Sequence, residues 1–310
     1  MTPRNAVLLA VVVAAVGWPF VIENRYLIHI GVLICISITV SLSLNMMLRI
    51  GQLSAAQAAF MGLGAYTSTL LVTRLDVPFL LAFPAAGLLV GAIAAALGPV
   101  FLRVKGVYFV LLTFAFGEGI VLIFEKWVSL FGGNNGIYGI PKASLFGLAL
   151  HTPRSYYFFA LALAVVTFLV VLSIFRSVLG AVLDSLNENE ELSQSLGVNA
   201  LSYRVAVFAL SGFFAGLAGS VYAHYTGFLS PEAFGFTTFV DMLVINVIGG
   251  ITSPIGPVLG AVLLVPLPEL LRDAKQYQML TYGSMLMAAV LFLPSGIVGS
   301  MRILRRRRVP

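Results

Sequence analysis

The chain has 310 residues, of which 60% are hydrophobic and only 10% charged, and its mean hydropathy is +1.02. Soluble domains carry about 25% charged residues, so this composition excludes an ordinary soluble domain and describes an integral membrane protein. Four positive charges, set against a net +6, come from the terminal run Arg305–Arg308, which beside an apolar span reads as an anchor for anionic lipid and not as a nucleic-acid surface.

In chain order, apolar segments predict spans at about 5–22, 27–48, 53–73, 78–102, 107–127, 155–175, 204–225, 237–249, 256–271 and 279–298. The long ones meet the requirement of about 20 apolar residues per crossing. Met1–Phe20 has the basic Arg4 and an apolar core like a signal peptide, but no A-x-A site ends it, so it is expected to be the first helix. Cys35 is the single cysteine and lies in an apolar run, which excludes a disulfide or a cysteine metal site within one chain. The span 53–73 is only weakly hydrophobic, with Gln52 and Gln57 at its start and Gly62, Gly64 and four alanines within it. It therefore belongs in the middle of a bundle. Gly87/Gly91 and Gly212/Gly216, continuing to Gly219, form small-residue stripes of the kind that lets helices approach closely.

The loop at about 128–154 contains Gly132, Gly133, Asn134, Asn135 and Gly136, all of which take turn conformations cheaply. It reads either as a linker or as a shaped docking or gating surface. The stretch from Arg176 to Arg204 is a polar island carrying Asp184, Glu188, Glu190 and Glu191. A carboxylate at mid-bilayer costs roughly 2.5–3.5 kcal/mol, so the island must be a loop in water. Asn189 as N-cap, Glu190 and Glu191 in the first turn and Gly197 at the end predict a two-turn helix over about 190–196, with Leu192 and Leu196 on one face. Two turns are marginal alone, so this helix needs a surface to dock into.

The segments 237–249 and 256–271 are short and separated by Gly249–Pro257, which two prolines and three glycines keep from being helical. They are expected to be a broken or re-entrant pair. Alternating the spans places eleven of the 18 basic residues on one side: Arg4, Arg49, Arg103, Lys105, Arg176, Arg204, Arg302 and Arg305–Arg308. That side is expected to be cytoplasmic, with both termini and the polar island on it.

Glu118, Asp241 and Glu269 fall in or near spans. An acid inside the membrane is a functional candidate by default, and the competing reading is a hydrogen bond to a neighbouring helix. His29, His151 and His224 lack ligand spacing, so no metal site is expected. No P-loop lysine follows a glycine, and no G-x-S-x-G, H-E-x-x-H or nucleophile–base pair occurs, so the chain is expected to have no catalytic residues and no ATP site of its own.

Several segments carry a resemblance. Gly51-Gln52-Leu53-Ser54 with Ala58–Thr67, Thr113–Glu118, Gly132–Pro141, Ser211–Ala223 and Val247–Ala261 are together similar to the LivM-like permease subunits of branched-chain amino-acid-type ABC importers. The resemblance implies an all-α polytopic inner-membrane permease of about 8–10 transmembrane helices, forming a single domain over 1–310. It implies a coupling loop at 176–204 in which Glu188, Glu190, Glu191, Leu192, Leu196 and Gly197 meet an ATPase. It implies a LivH-like second permease half, two LivF/LivG-like ATPase subunits that use the ATP, and an outside substrate-binding protein. Candidates for the substrate path are Gln52, Gln57, Tyr66, Glu118, Asp241, Gly249 and Gly250, and Gly132–Gly136 would face outside. This chain departs from the family pattern at Met47–Ile50, Gln57, Asn187, Leu192, Ser193, Gln194 and Asp241; those at Gln57 and Asp241 leave the substrate open among branched-chain amino acids, amides, urea and small aromatic acids, with a shift toward a polar or basic compound as one reading. The rival reading is an ion-coupled secondary transporter with Glu118 or Asp241 as proton carrier.

Overall fold

The computed structural model describes residues 16–19, 24–145, 148–150, 152–270, 283–284, 287 and 296–299. The predicted first span is thus described only at 16–19 and the last only in fragments; the tail 302–310, His151 and the Glu269 side chain lie outside the described residues. The main helices are α1 (Arg25–Arg49), α2 (Gln57–Arg74), α3 (Phe79–Phe101), α4 (Val107–Lys126), α5 (Pro153–Arg176), α6 (Val178–Glu188), α7 (Glu190–Ser195), α8 (Ala200–Thr226), α9 (Phe236–Gly249) and α10 (Ile255–Leu264). Among the described residues there are also short helical turns and four two-residue strands: β1 (Ile137–Tyr138), β2 (Ser144–Leu145), β3 (Leu148–Ala149) and β4 (Phe228–Leu229).

Among the described residues, α1, α3, α4, α5, α8 and the segment Pro231–Gly249 are long and apolar enough to cross a membrane. At about 1.5 Å per residue, the 25 residues of α1 extend beyond the bilayer's ~30 Å core. The fold is the expected all-α polytopic one. Helix α2 falls short of that hydropathy because alanines, glycines and hydroxyl residues fill it, and it is enclosed by its neighbours.

Helix α8 is the axis of the bundle, packed chiefly against α2 and α3 and also against α1. Its small-residue face makes this possible. A Cβ added at Gly64 of α2 would lie 2.2 Å from the Gly216 carbonyl oxygen, and one at Gly219 would lie 1.8 Å from that of Met61. Without a hydrophobic drive between helices in lipid, such backbone approach and its dispersion contacts hold the bundle. Gln57 adds a polar tie: Ser43 of α1 donates to its Oε1 at 3.2 Å, and its Nε2 donates to Ser211 of α8 at 3.1 Å.

Helices α9 and α10 form an antiparallel hairpin. Gly249 abuts Gly256 and Gly260 abuts the Ile245 carbonyl, so the second helix returns along the first. With 14 and 10 residues, the two helices are about 21 and 15 Å long, shorter than a full crossing. Asn45 of α1 secures the turn by donating to Asn246 Oδ1 and to the Ile251 carbonyl, both at 3.0 Å. The expected broken or re-entrant pair is thus a hairpin of two short helices, the first of which reaches crossing length together with the 3-10 turn Pro231–Phe234 before it.

Three details differ from the sequence reading. The polar island contains a second helix, α6, because Gly180, Leu183 and Leu186 form a buried face that its carboxylates obscured. The span expected from 53 becomes helical only at Gln57, after a turn through Gly51, whose φ is +74°. The loop 128–154 is structured by pairing: β1 runs antiparallel to β4, with Ile137 opposite Leu229 and Tyr138 opposite Phe228.

Candidate functional site: a short capped helix and an open chamber

The polar island hangs at the α1, α5 and α8 ends of the bundle. Helix α5 stops at Arg176 and the chain turns so tightly that a Cβ at Gly180 would lie 2.6 Å from the Phe175 carbonyl oxygen. Leu183 and Leu186 then bury α6 against the bundle, while Glu188 stays exposed at its end. Helix α7 follows with the predicted cap, the Leu192 N–H donating to Asn189 Oδ1 at 3.0 Å. It ends at Gly197, whose φ of +87° lets the Gly197 and Val198 N–H groups satisfy the Gln194 and Ser193 carbonyls.

Two ion-pair systems fix this element. Arg49 at the end of α1 donates from Nε and Nη2 to the two Asp184 oxygens of α6, at 2.8 and 2.7 Å, while its guanidinium stacks 4.1 Å from the Phe175 ring centroid. Glu190 accepts from Arg204 of α8 at 3.1 and 3.2 Å and from Lys105, just beyond α3. Burial alone raises the Glu190 pKa, but the hydrogen bonds and charges of Lys105 and Arg204 outweigh it and hold the carboxyl below the usual range. Glu190 therefore ties α7 to the bundle, whereas Glu191, Leu192, Leu196 and Gly197 point outward. Leu192 is 60% and Leu196 79% exposed, the apolar face that the short helix was expected to present. Composition and spacing pointed to this helix but not to its ion pairs, whose partners are 14 to 135 residues distant in sequence.

At the other end of the bundle, Gly132 and Gly133 adopt φ of +81° and +63°, Asn134 and Asn135 are exposed in a 3-10 turn, and Gly136 packs on the Leu229 carbonyl. Buried beneath this loop, His224 bridges Ser68 (2.9 Å) and the Pro141 carbonyl (2.7 Å), and the Tyr156 hydroxyl donates to the His224 carbonyl at 2.8 Å. The sequence, in which the histidines show only that they lack ligand spacing, carries no sign of this network, which fastens the loop to α2, α5 and α8.

The candidate path residues scatter. Gln57 is spent on the Ser43–Ser211 tie, Gln52 is buried, and Tyr66 is packed among Phe124, Phe131 and Phe234. Gly249 and Gly250 make the hairpin turn. Glu118 borders a recess of only about 10 Å³, room for a single water. Asp241 instead borders a chamber of about 250 Å³ between α1, α2, α8 and α9. The two acids thus sit at separate places. No group of three or more metal-ligating side chains occurs among the described residues.

Comparison with known proteins agrees with this architecture. The chain is 34% identical to the high-affinity branched-chain amino acid transport system permease protein LivM of Escherichia coli (strain K12), over 94% of this chain and 74% of the relative. It is 33% identical, with the same coverage, to the protein of that name from Salmonella typhimurium. No solved structure matches. Residues 26–294 match the family described as branched-chain amino acid transport system / permease component, and the chain belongs to that family.

Proposed function

We infer that this permease is one half of a heterodimeric translocation path in the inner membrane, importing branched-chain amino acids or closely related compounds. A LivH-like second half, two ATPase subunits and an external substrate-binding protein complete the importer. The observation that carries the reading is α7: a short helix anchored on one side by Glu190 and displaying Glu191, Leu192 and Leu196 on the other. Such a helix gains from burial in a groove, and movement of that groove passes to α1 and α8 through Arg49–Asp184 and Glu190–Arg204. The names of the LivM relatives support the substrate class. In this mechanism ATP binding shifts the balance of two states by differential affinity, and the permease itself has no need to hold substrate tightly.

The test is capture of the tagged chain from mild detergent, comparing the wild type with Glu191→Arg and Gly197→Val. Recovery of a P-loop ATPase with the wild type, lost in both variants at unchanged membrane levels, supports the reading. Failure to recover an ATPase, together with ion-dependent uptake by this chain alone, would replace it with a secondary transporter.

A further inference from the structure

The chamber between α1, α2, α8 and α9 has an unusual lining. Ile36 and Val40 of α1, Met61 of α2 and Met242 and Ile245 of α9 give it aliphatic and thioether walls. Two polar groups in it have no partner among the described residues. Asp241 is exposed on the chamber wall and makes no ion pair among them. Ser41 is fully buried, and its hydroxyl has no hydrogen-bond partner among them.

The exposed carboxylate sets a negative potential on the wall of this open-sided chamber, and a buried hydroxyl without a partner carries a desolvation cost. A ligand with an ammonium group for the carboxylate and a polar atom for the hydroxyl answers both together. The apolar walls suit an aliphatic remainder. At about 250 Å³ the space falls just below the range for drug-sized ligands and fits a small one. Glu118 offers no such space.

We propose that this chamber receives the substrate and that Asp241 is its specificity-determining residue, binding an ammonium group so that amino acids are selected over their des-amino analogues. The proposal rests on the reading of this chain as an importer half. It differs from a proton-carrier role because the carboxylate acts as a fixed charge.

The test uses the complete transporter in proteoliposomes, with Cys35→Ser removing the native thiol and Ser37→Cys, on the chamber wall, as reporter. Cationic (trimethylammonium-ethyl) and anionic (sulfonatoethyl) methanethiosulfonates are compared. The expected preference for the cation is about tenfold above the reagents' intrinsic ratio, the size of focusing by one charge in a low-dielectric cleft. It is lost in Asp241→Asn and kept in Asp241→Glu. Leucine protects the reporter, whereas 4-methylpentanoate does not. No cationic preference in the Asp241 protein, or equal protection by the two compounds, overturns the proposal, even where Asp241→Asn fails to assemble. Labelling is read without transport, so ATP-dependent leucine uptake measured in parallel separates the two readings. Normal uptake without charge preference removes the chamber's role alone, and no uptake by the intact complex removes the importer reading and the proposal with it.

Discussion

Removing the Glu190 carboxylate leaves the Arg204 guanidinium, 7% exposed at its side chain, without an ion partner among the described residues. Glu190→Gln is therefore expected to loosen α7 by about 1–3 kcal/mol, the scale of a lost hydrogen bond to a charged group. The pH dependence follows the same tie. A carboxyl held below its unfolded value contributes stability above that value, about 4.3, and loses it as pH falls through the folded value beneath. A spin label at Ser195→Cys should be immobile at pH 7 and become mobile only once the pH has fallen well beneath that unfolded value, whereas in Glu190→Gln it should be mobile throughout. Gly197 tests conformation separately from space. Nothing lies within 4 Å of a Cβ placed there, yet φ is +87°. Gly197→Asn should cost a few tenths of a kcal/mol and Gly197→Val more than about 1 kcal/mol, read as ATPase recovery.

Helices meet in this protein through two kinds of contact, and each yields a prediction. The Arg49–Asp184 pair joins α1 to α6 with a bidentate geometry, but Asp184 is 46% exposed, so its stabilising worth is held to about 1 kcal/mol. Its larger effect should be on transmission. Arg49→Ala and Asp184→Ala are expected each to raise the ATP hydrolysed per substrate moved, with the double variant no worse than either single one. Arg49→Lys should fail to restore coupling, since an ammonium lacks the fork and the flat face over Phe175. Backbone contact is less forgiving. Gly219→Val places carbon into the Met61 carbonyl oxygen and should reduce folded yield in detergent by more than the 1–3 kcal/mol of ordinary overpacking, seen as a lowered melting temperature.

Across the whole molecule, charge and topology converge on one axis. Arg49, Lys105 and Arg204 gather with Asp184 and Glu190 at one end, while Arg74 binds the Ser129 and Leu130 carbonyls at the other. A membrane-impermeant thiol reagent applied to intact cells should label Asn134→Cys but not Ser195→Cys, and inside-out vesicles should reverse the pattern. Cys35 is buried and adds little background. Labelling of both from one side would contradict the orientation drawn from the basic residues.

Most of the described helices, their order and the short capped helix α7 were legible in the sequence because they depend on local quantities: twenty apolar residues, an asparagine cap, two acids in a first turn, a glycine stop. The small-residue stripes likewise announced close packing. Helix α6 escaped because its buried face is only three residues wide and is interleaved with charges. The partners of Arg49, Glu190 and His224, and the difference between Glu118 in a water-sized recess and Asp241 in a chamber, were set by tertiary structure. Which side chains converge depends on how helices cross, and residues such as Asn45 and Asn246, 201 apart in sequence, carry no local sign of their pairing.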